Sequence, residues 1–435
     1  MAFLHPHSCE CVKSELDLFA LPTTQISVES GQWIHYNTLN SISEDGPLEF
    51  VVNTADEYID LSHTLLVLNV KLLKEDGSNF AATDKIVPVN NILHSLFSQV
   101  DVYLNQKLIS PPNNTYAYKS YIETLLNYGP PAKASHLTCG LWYPDTPGKM
   151  DTTDDSNTGY KQRNAFTKES KEVDLIGHLN CDLFNQNKFL INGLELRVKL
   201  VRSRNNFALM TTAPSKGKIQ INNATLLIRR VKINPTIMLA HAKALEISTA
   251  KYPITRTEIK VLTLPAGVLS KSLDNIFLGQ LPKRIAVCFV SNKAFNGDFT
   301  LNPFNFQHFN LNFMVLYIDG HQMPCKPLQP NFTSKKYITM YHTLFSGTGI
   351  HFLNEGNDIT RDSYPNGYCI AVFDLTPDLS AGSLTHWNLI KNGSVRLEVG
   401  FNEALAETTN CLVYGEFDSV IEIDKKRNVV VDYGS

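Results

Sequence analysis

The sequence predicts an all-β chain in which one antiparallel sandwich occurs twice, and three observations carry that prediction. Strand-length runs alternate apolar and polar residues, Asn-Gly and Asp-Gly pairs punctuate them, and segments of the first half recur in order in the second. In ELRVKL (195–200), Leu196, Val198 and Leu200 alternate with Glu195, Arg197 and Lys199, the period of two that a half-buried strand requires. TLLVLNVKLL (64–73), SQVDVYLN (98–105), MVLYIDG (314–320), VRLEVGF (395–401) and SVIEID (419–424) behave similarly. The pairs beginning at Asn192, Asn296, Asn366 and Asn392, and at Asp45, Asp76 and Asp319, supply residues that tolerate positive φ in tight turns. Two segments read as helix: YAYKSYIETLLNYG (116–129), stopped by Gly129 and Pro130, and NPTIMLAHAKALEIS (234–248), with Asn234 as N-cap and Pro235 at the first helical position.

The recurrences keep their order while their spacing falls. VYLNQ (102–106) matches LYIDG (316–320), and YIETLLNYG (121–129) matches YHTLFSGTG (341–349). VDLIGHLN (173–180) with INGLELRVKL (191–200) matches FDLTPDLS (373–380) with KNGSVRLEV (391–399), and NNATLLI (222–228) matches TNCLVYG (409–415). Two copies of one domain with loops of different length would produce this series. Each copy then holds about eight strands, long loops and one helix after the fourth or fifth strand, an inventory that fits two packed sheets with long cross-connections, most commonly a jelly roll. The expected architecture is two tandem eight-stranded antiparallel jelly rolls with short inserted helices. Its divisions are an arm over 1–23, a first roll over 24–233, a helical connector over 234–250, a second roll over 251–425 and a tail over 426–435.

Composition narrows the function classes. The chain has 435 residues, 43% hydrophobic, so a full core can form. Its 39 basic and 42 acidic residues leave a formal charge of −3, which offers no overall basic field for nucleic acid. No apolar run approaches the roughly 18 residues of a membrane span, and Glu10, Glu15 and Asp17 interrupt the N-terminus before any secretory apolar core. The eight Cys lie singly apart from Cys9 and Cys11, which suits free thiols in a reducing compartment, and makes the sequons at Asn113, Asn223, Asn331 and Asn392 chance matches.

Chemistry-bearing motifs are sparse. His5, His7, Cys9 and Cys11 carry zinc-ligand types, but on a strand same-face neighbours sit about 6.5–7 Å apart, too far for four ligands at about 2.0–2.3 Å from one ion. With Pro6 at a terminus, the stretch reads as an arm that orders on assembly. No phosphate loop, dinucleotide fingerprint, zinc-protease helix or nucleophile elbow occurs, and FSGTG (345–349) reads as a turn closing a helix. DTTDDSN (151–157) lacks the ligand alternation of a calcium loop and reads as a solvated loop. His94, His241 and His308 lie among apolar neighbours as hydrogen-bonded core histidines do. KKR (425–427), among Glu422, Asp424 and Asp432, reads as a solvated face. No catalytic residue, metal ligand or cofactor is expected. The segment 292–313 concentrates Phe295, Phe299, Phe304, Phe306 and Phe309 among amides with little charge, which suits either a protein–protein interface or the interior of a roll beneath a long loop.

Several strings together resemble one family. KSELDLF (13–19), EYIDLSHTLL (57–66), VNNILHSLFSQVDVYLN (89–105), NNTYAYKSYIETLLNYG (113–129), LAHAKALE (239–246), AKYPITR (250–256), GQLPKR (279–284), NPFNF (302–306) and FDLTPDL (373–379) are similar to the hexon-type major capsid proteins of Polinton (Maverick) elements and adintoviruses, over Ser14 to Tyr433. The resemblance implies a double jelly roll whose homotrimer forms a pseudo-hexagonal capsomer tiling an icosahedral virion, and it brings no catalytic residues. It also implies penton and minor capsid proteins as partners, and folding in host cytoplasm with assembly there or in the nucleus. Within that frame the five Phe and the long loop 130–172 are the expected capsomer contacts. A carbohydrate-binding module or cupin-like jelly-roll enzyme, and a domesticated capsid-derived protein, are the alternatives.

Overall fold

The computed structural model describes residues 4–44, 46–54, 56–211, 216–383 and 385–432. Asp45 of the first Asp-Gly pair, residues 1–3 of the arm and residues 433–435 of the tail, Tyr433 included, lie outside the described residues. In the first half, eight of the strands among the described residues build the two main sheets: β1 (Val28–Asn37), β2 (Leu48–Asn53), β3 (Tyr58–Lys74), β4 (Phe97–Leu104), β5 (Lys107–Leu108), β6 (Val173–His178), β7 (Glu195–Arg202) and β8 (Gly217–Ile233). They form two antiparallel four-stranded sheets, β1-β8-β3-β6 and β2-β7-β4-β5. The second half repeats the plan with β9 (Ala250–Leu264), β10 (Ser270–Leu273), β11 (Arg284–Ser291), β12 (Leu311–Ile318), β13 (His321–Leu328), β14 (Ile370–Asp374), β15 (Asn392–Phe401) and β16 (Thr409–Ile423). These pair as β9-β16-β11-β14 and β10-β15-β12-β13. In both halves chain-distant strands are neighbours, the two interleaved sheets of a jelly roll. The protein is therefore an all-β double jelly roll.

The recurrent segments fall in corresponding elements of the two rolls, though not always at the same point along them. VYLNQ and LYIDG end β4 and β12, the Asp174 segment forms β6 whereas the Asp374 segment only closes β14 with Asp374 as its last residue, and NNATLLI and TNCLVYG lie in β8 and β16. Tyr103 faces Arg197 across β4 and β7, and Tyr317 faces Arg396 across β12 and β15. In the second pair the guanidinium carbon stands 4.2 Å from the ring centroid, a cation–π contact. Alternation decides the burial: Leu196, Val198 and Leu200 are buried in β7 while Arg197 and Lys199 are not. Asn392-Gly393 departs from expectation. It opens β15 as extended chain paired with Leu278–Gln280 instead of making a positive-φ turn.

Four longer helices fill the connections: α1 (Tyr116–Asn127), α2 (Thr158–Thr167), α3 (Pro235–Ala244) and α4 (Ile338–Thr348). Counted along these main-sheet strands, helices α1 and α4 each follow the fifth of their roll. In α4, FSGTG does two jobs. A Cβ on Gly347 would stand 2.4 Å from the Val372 carbonyl oxygen, so only glycine lets the helix lie on β14, and Gly349, at φ +82°, ends the helix in the left-handed conformation. Helix α2 was not expected, because its stretch carries few apolar residues; Asn157 starts it by accepting from the Tyr160 N–H. Helix α3 joins the rolls with none of its residues buried, so His241, bonded at 3.0 Å to the Tyr58 hydroxyl, is a surface residue and not a core histidine. The tail is not plain tail, since Val429–Val431 adds a strand to β16.

Candidate functional site: the joint between the rolls

Helix α1 sits between the two rolls and is buried on nearly all sides. Tyr118 and Tyr121, one turn apart, meet the Phe-rich segment of the second roll. Tyr121 stacks on Phe304 with centroids 4.1 Å apart and planes 2° from parallel, and Tyr118 stacks on Phe295 at 5.3 Å. Phe207 of the first roll meets Phe304 edge-on. This places the predicted contact residues, and corrects two of them. Phe304 and Phe306 are 0% exposed, consumed by the joint within one chain, and have no surface to offer a neighbouring molecule. Phe295, Phe299 and Phe309 pack against the same core but stay half-buried.

Loop 130–172 likewise docks within the chain, around a buried carboxylate. Asp145 Oδ1 accepts from Arg163 Nη2 at 2.7 Å and from Asn157 Nδ2 at 2.9 Å, while its Oδ2 accepts from Asn302 Nδ2 of the second roll at 2.9 Å. The Tyr368 hydroxyl donates to the Asp145 carbonyl at 2.8 Å. Arg163, fully buried, also donates to the carbonyls of Pro88 and Tyr143. Asp151 accepts from the Asn302 N–H and from Asn305 Nδ2, both at 2.7 Å, and burial raises its pKa. The two asparagines of NPFNF thus latch onto loop 145–151 while its two phenylalanines fill the space behind. DTTDDSN belongs to this latch through Asp151 and Asn157, which is why it is not a free surface loop.

A second polar centre lies further along the joint. Lys119 of α1 pairs with Asp182 and, at 3.7 Å, with Glu123. Asp182 Oδ2 accepts from the Thr257 N–H of β9 at 3.0 Å. The Tyr414 hydroxyl of β16 bridges Glu123 at 3.4 Å and Glu416 at 3.0 Å, and Arg284 holds Glu416 at 3.2 Å. Burial, reinforced by the nearby Asp182 and Glu416 carboxylates against the pull of Lys119, raises Glu123 to about 7. Lys133 adds a third tie, donating to the carbonyls of Leu125 and, across the joint, Asn357; burial lowers its amine to about 8. At the far end Arg427 donates from Nε to the Asn192 carbonyl at 2.7 Å and from Nη2 to the Asn192 side chain at 2.9 Å. KKR is therefore not simply a solvated face, since its arginine ties the last hairpin of the second roll to a turn of the first.

Beyond the joint the expected chemistry stays dispersed. Among the described residues no group of three His, Cys, Asp or Glu is placed to hold a metal ion. Cys9 and Cys11 are exposed, whereas burial pushes the Cys181 and Cys369 thiols up to about 12 and raises those of Cys288 and Cys411, which keeps these buried sulfurs protonated. His94 is a buried histidine, bonded to the Tyr116 hydroxyl at 2.9 Å, and burial lowers it to about 3. His308 stacks on Phe332 at 4.0 Å. Among the described residues no helix is long and apolar enough to cross a membrane. What the residue patterns left unseen is the latch. Asn302 and Asn305 looked like loop amides, and their only signal was inclusion in NPFNF.

No protein-family profile matches the chain. An uncharacterized protein of Caenorhabditis elegans is 27% identical over 433 residues, covering 95% of this chain and 99% of that one. Solved structures share the fold at low identity. The Sputnik virophage structure matches with a TM-score of 0.65 at 11% identity, over 98% of this chain and 93% of that one. The PBCV-1 virus capsid gives 0.60 at 10% over 96% and 100%, and the mavirus major capsid protein 0.53 at 11% over 99% and 95%.

Proposed function

We propose that the protein is a structural, non-enzymatic major capsid protein of the hexon type, akin to those of Polinton elements and adintoviruses, which the strings quoted above resemble. The observation that carries this reading is the joint. Two complete jelly rolls are locked side by side by a buried aromatic stack, the Asp145 latch and the Lys119 centre, so that one chain is a rigid block with two similar but unequal faces. Three such blocks around a threefold axis give six similar edges, enough to tile hexagonally with one protein, and the unequal loops distinguish up from down. The whole-chain likeness to a mavirus major capsid protein and to a virus capsid supports it.

Contacts between copies then fall to what the joint leaves open. Phe295, Phe299 and Phe309 contribute their exposed edges, and Phe352, Leu353, Leu379, Trp387, Leu389 and Ile390 form exposed apolar positions on the second roll. Penton and minor capsid proteins would be the further partners, the virion the site of residence, and host cytoplasm the site of folding. The test is light-scattering mass after size exclusion with negative-stain microscopy of the same peak. A mass near three times 48.8 kDa with pseudo-hexagonal rings or closed shells supports the reading; a monomer across salt and pH counts against it. A second reading, glycan binding, is favoured by one feature, a cleft of about 410 Å³ between the rolls lined by Trp387, Asn127, Asn185 and Asn187, and saturable binding on a glycan array by a chain that stays monomeric would favour it.

A further inference from the structure

A cavity of about 420 Å³ lies beneath the connector, where the two rolls meet α3. Its walls are Tyr58 of β3, Phe189 and Ile191 from the turn before β7, Ile233 at the end of β8, Ala244 and Leu245 of the connector, and Tyr252 of β9. The lining is mostly apolar. Polar groups at its edge are already paired: the Tyr58 hydroxyl with His241, the Tyr252 hydroxyl with the Phe189 carbonyl and the Ile191 N–H, and Lys188 Nζ with the Lys251 carbonyl. An apolar space of this size with its polar groups satisfied suits one or two large apolar side chains, not a polar ligand.

The same chain carries side chains of that kind with nothing over them. In the arm, Leu16, Leu18, Phe19 and Leu21 are 68%, 76%, 97% and 91% exposed. The arm is rooted at the cavity. Ser27 accepts a hydrogen bond from the Asn234 N–H at 3.0 Å, and Val28 pairs with Ile233, which is part of the cavity wall. Charge agrees as well. Leu16, Leu18 and Phe19 are interleaved with Asp17 and with Glu15, whose pairing with Lys13 at 3.3 Å still leaves the arm net negative, whereas the cavity is edged by Lys188 and Lys251, with Arg427 close enough to act on both Tyr58 and Tyr252. Glu422, taken up by Thr249, offsets one of these cations. Within one chain the arm does not close on its own body, since Phe19 would then be covered.

We infer that the cavity under the connector is the socket for the arm of a second copy of this chain, which seats Leu18 and Phe19 against Tyr58, Ile191 and Leu245 with Glu15 and Asp17 toward Lys188 and Lys251. The exchange gives the arm a place to order when copies meet and ties neighbouring blocks at the level of the connector. It rests on the proposal that copies assemble. The two are tested apart with a fluorescein-labelled peptide of residues 12–26, titrated by anisotropy into the full chain carrying Leu18→Ser and Phe19→Ser, which frees the socket without touching a buried residue. The expected result is saturable binding that falls at least about tenfold with the same two substitutions in the peptide, and at least about tenfold when Ala244→Trp fills the socket from the exposed helix. Lys188→Glu with Lys251→Glu weakens it further, and salt weakens it in the native pairing. Absence of binding, or binding indifferent to Ala244→Trp in a chain whose circular dichroism is unchanged, overturns the inference while leaving the capsid reading intact if the native chain still forms trimers. Peptide binding by a native chain that remains monomeric overturns the exchange between copies and the capsid reading together.

Discussion

Replacing Asp145 by Asn changes one atom of a carboxylate that is 1% exposed and meets three donors, Arg163 and Asn157 from the first roll and Asn302 from the second. The loss has two parts. The Arg163 guanidinium, 0% exposed, keeps its two carbonyl acceptors but loses its counter-charge, and an orphaned buried charge costs about 3–5 kcal/mol. The new amide must also point an N–H at one of the former donors, which leaves a buried donor unpaired at about 1–3 kcal/mol. The sum, about 4–8 kcal/mol, is a large share of the 5–15 kcal/mol by which domains are usually stable. Urea titration followed by circular dichroism and by fluorescence of Trp142, buried beside Tyr121, measures it. At a slope of about 3 kcal/mol per M the midpoint falls by more than about 1 M. The double substitution Asp145→Asn with Arg163→Met removes the charge along with its partner and should cost less than Asp145→Asn alone. A single substitution that costs under about 1 kcal/mol, or a double that costs the sum of the singles, refutes the latch as the energetic tie between the rolls.

Phe304→Ala should cost about 3–5 kcal/mol, and a cycle with Tyr121→Ala should return about 0.5–1.5 kcal/mol of coupling by urea unfolding; additivity would deny the stack. Gly347→Ala should destabilise by about 1–3 kcal/mol in thermal unfolding, because its methyl meets the Val372 carbonyl, whereas the same change at an open glycine such as Gly356 should not. Glu123, raised to about 7 from 4.5, stabilises the joint fully below pH about 4.5, and that contribution, at most about 3 kcal/mol, is lost as pH rises through 7. His94, lowered to about 3 from 6.5, acts oppositely, its contribution being present above pH 6.5 and lost as pH falls toward 3. The readout is therefore the difference between the native chain and Glu123→Gln in urea midpoints from pH 5 to 8. That difference should move in favour of the Gln variant as pH rises, and a flat difference would place Glu123 outside the coupling.

The rolls were legible because a strand writes its environment into its own residues. Leu196, Val198 and Leu200 could be placed inside before any partner strand was known, and the matched strands and helices kept their order in both copies even where Asn392-Gly393 did not turn as Asn192-Gly193 does. The individual histidines were less legible. His94 and His241 have similar apolar neighbours in sequence, yet one is enclosed and the other stands on a connector with no buried face. The Phe-rich segment shows the same limit. Its composition suits any apolar contact, so whether Phe304 meets Tyr121 of its own chain or a neighbouring molecule was not written in residues 292–313.

The sequence by itself thus determined the class of fold, its duplication and a helix after the fourth or fifth strand, since these follow from local period, turn chemistry and order along the chain. Tertiary structure alone decided the joint. Asp145, Asn302, Arg427 and Asn192 are ordinary polar residues until folding brings positions 157 and 235 residues apart within hydrogen-bond reach. Burial then turns a solvated amide or carboxylate into a tie, because the same contact that water would replace at no loss on the surface has no substitute inside.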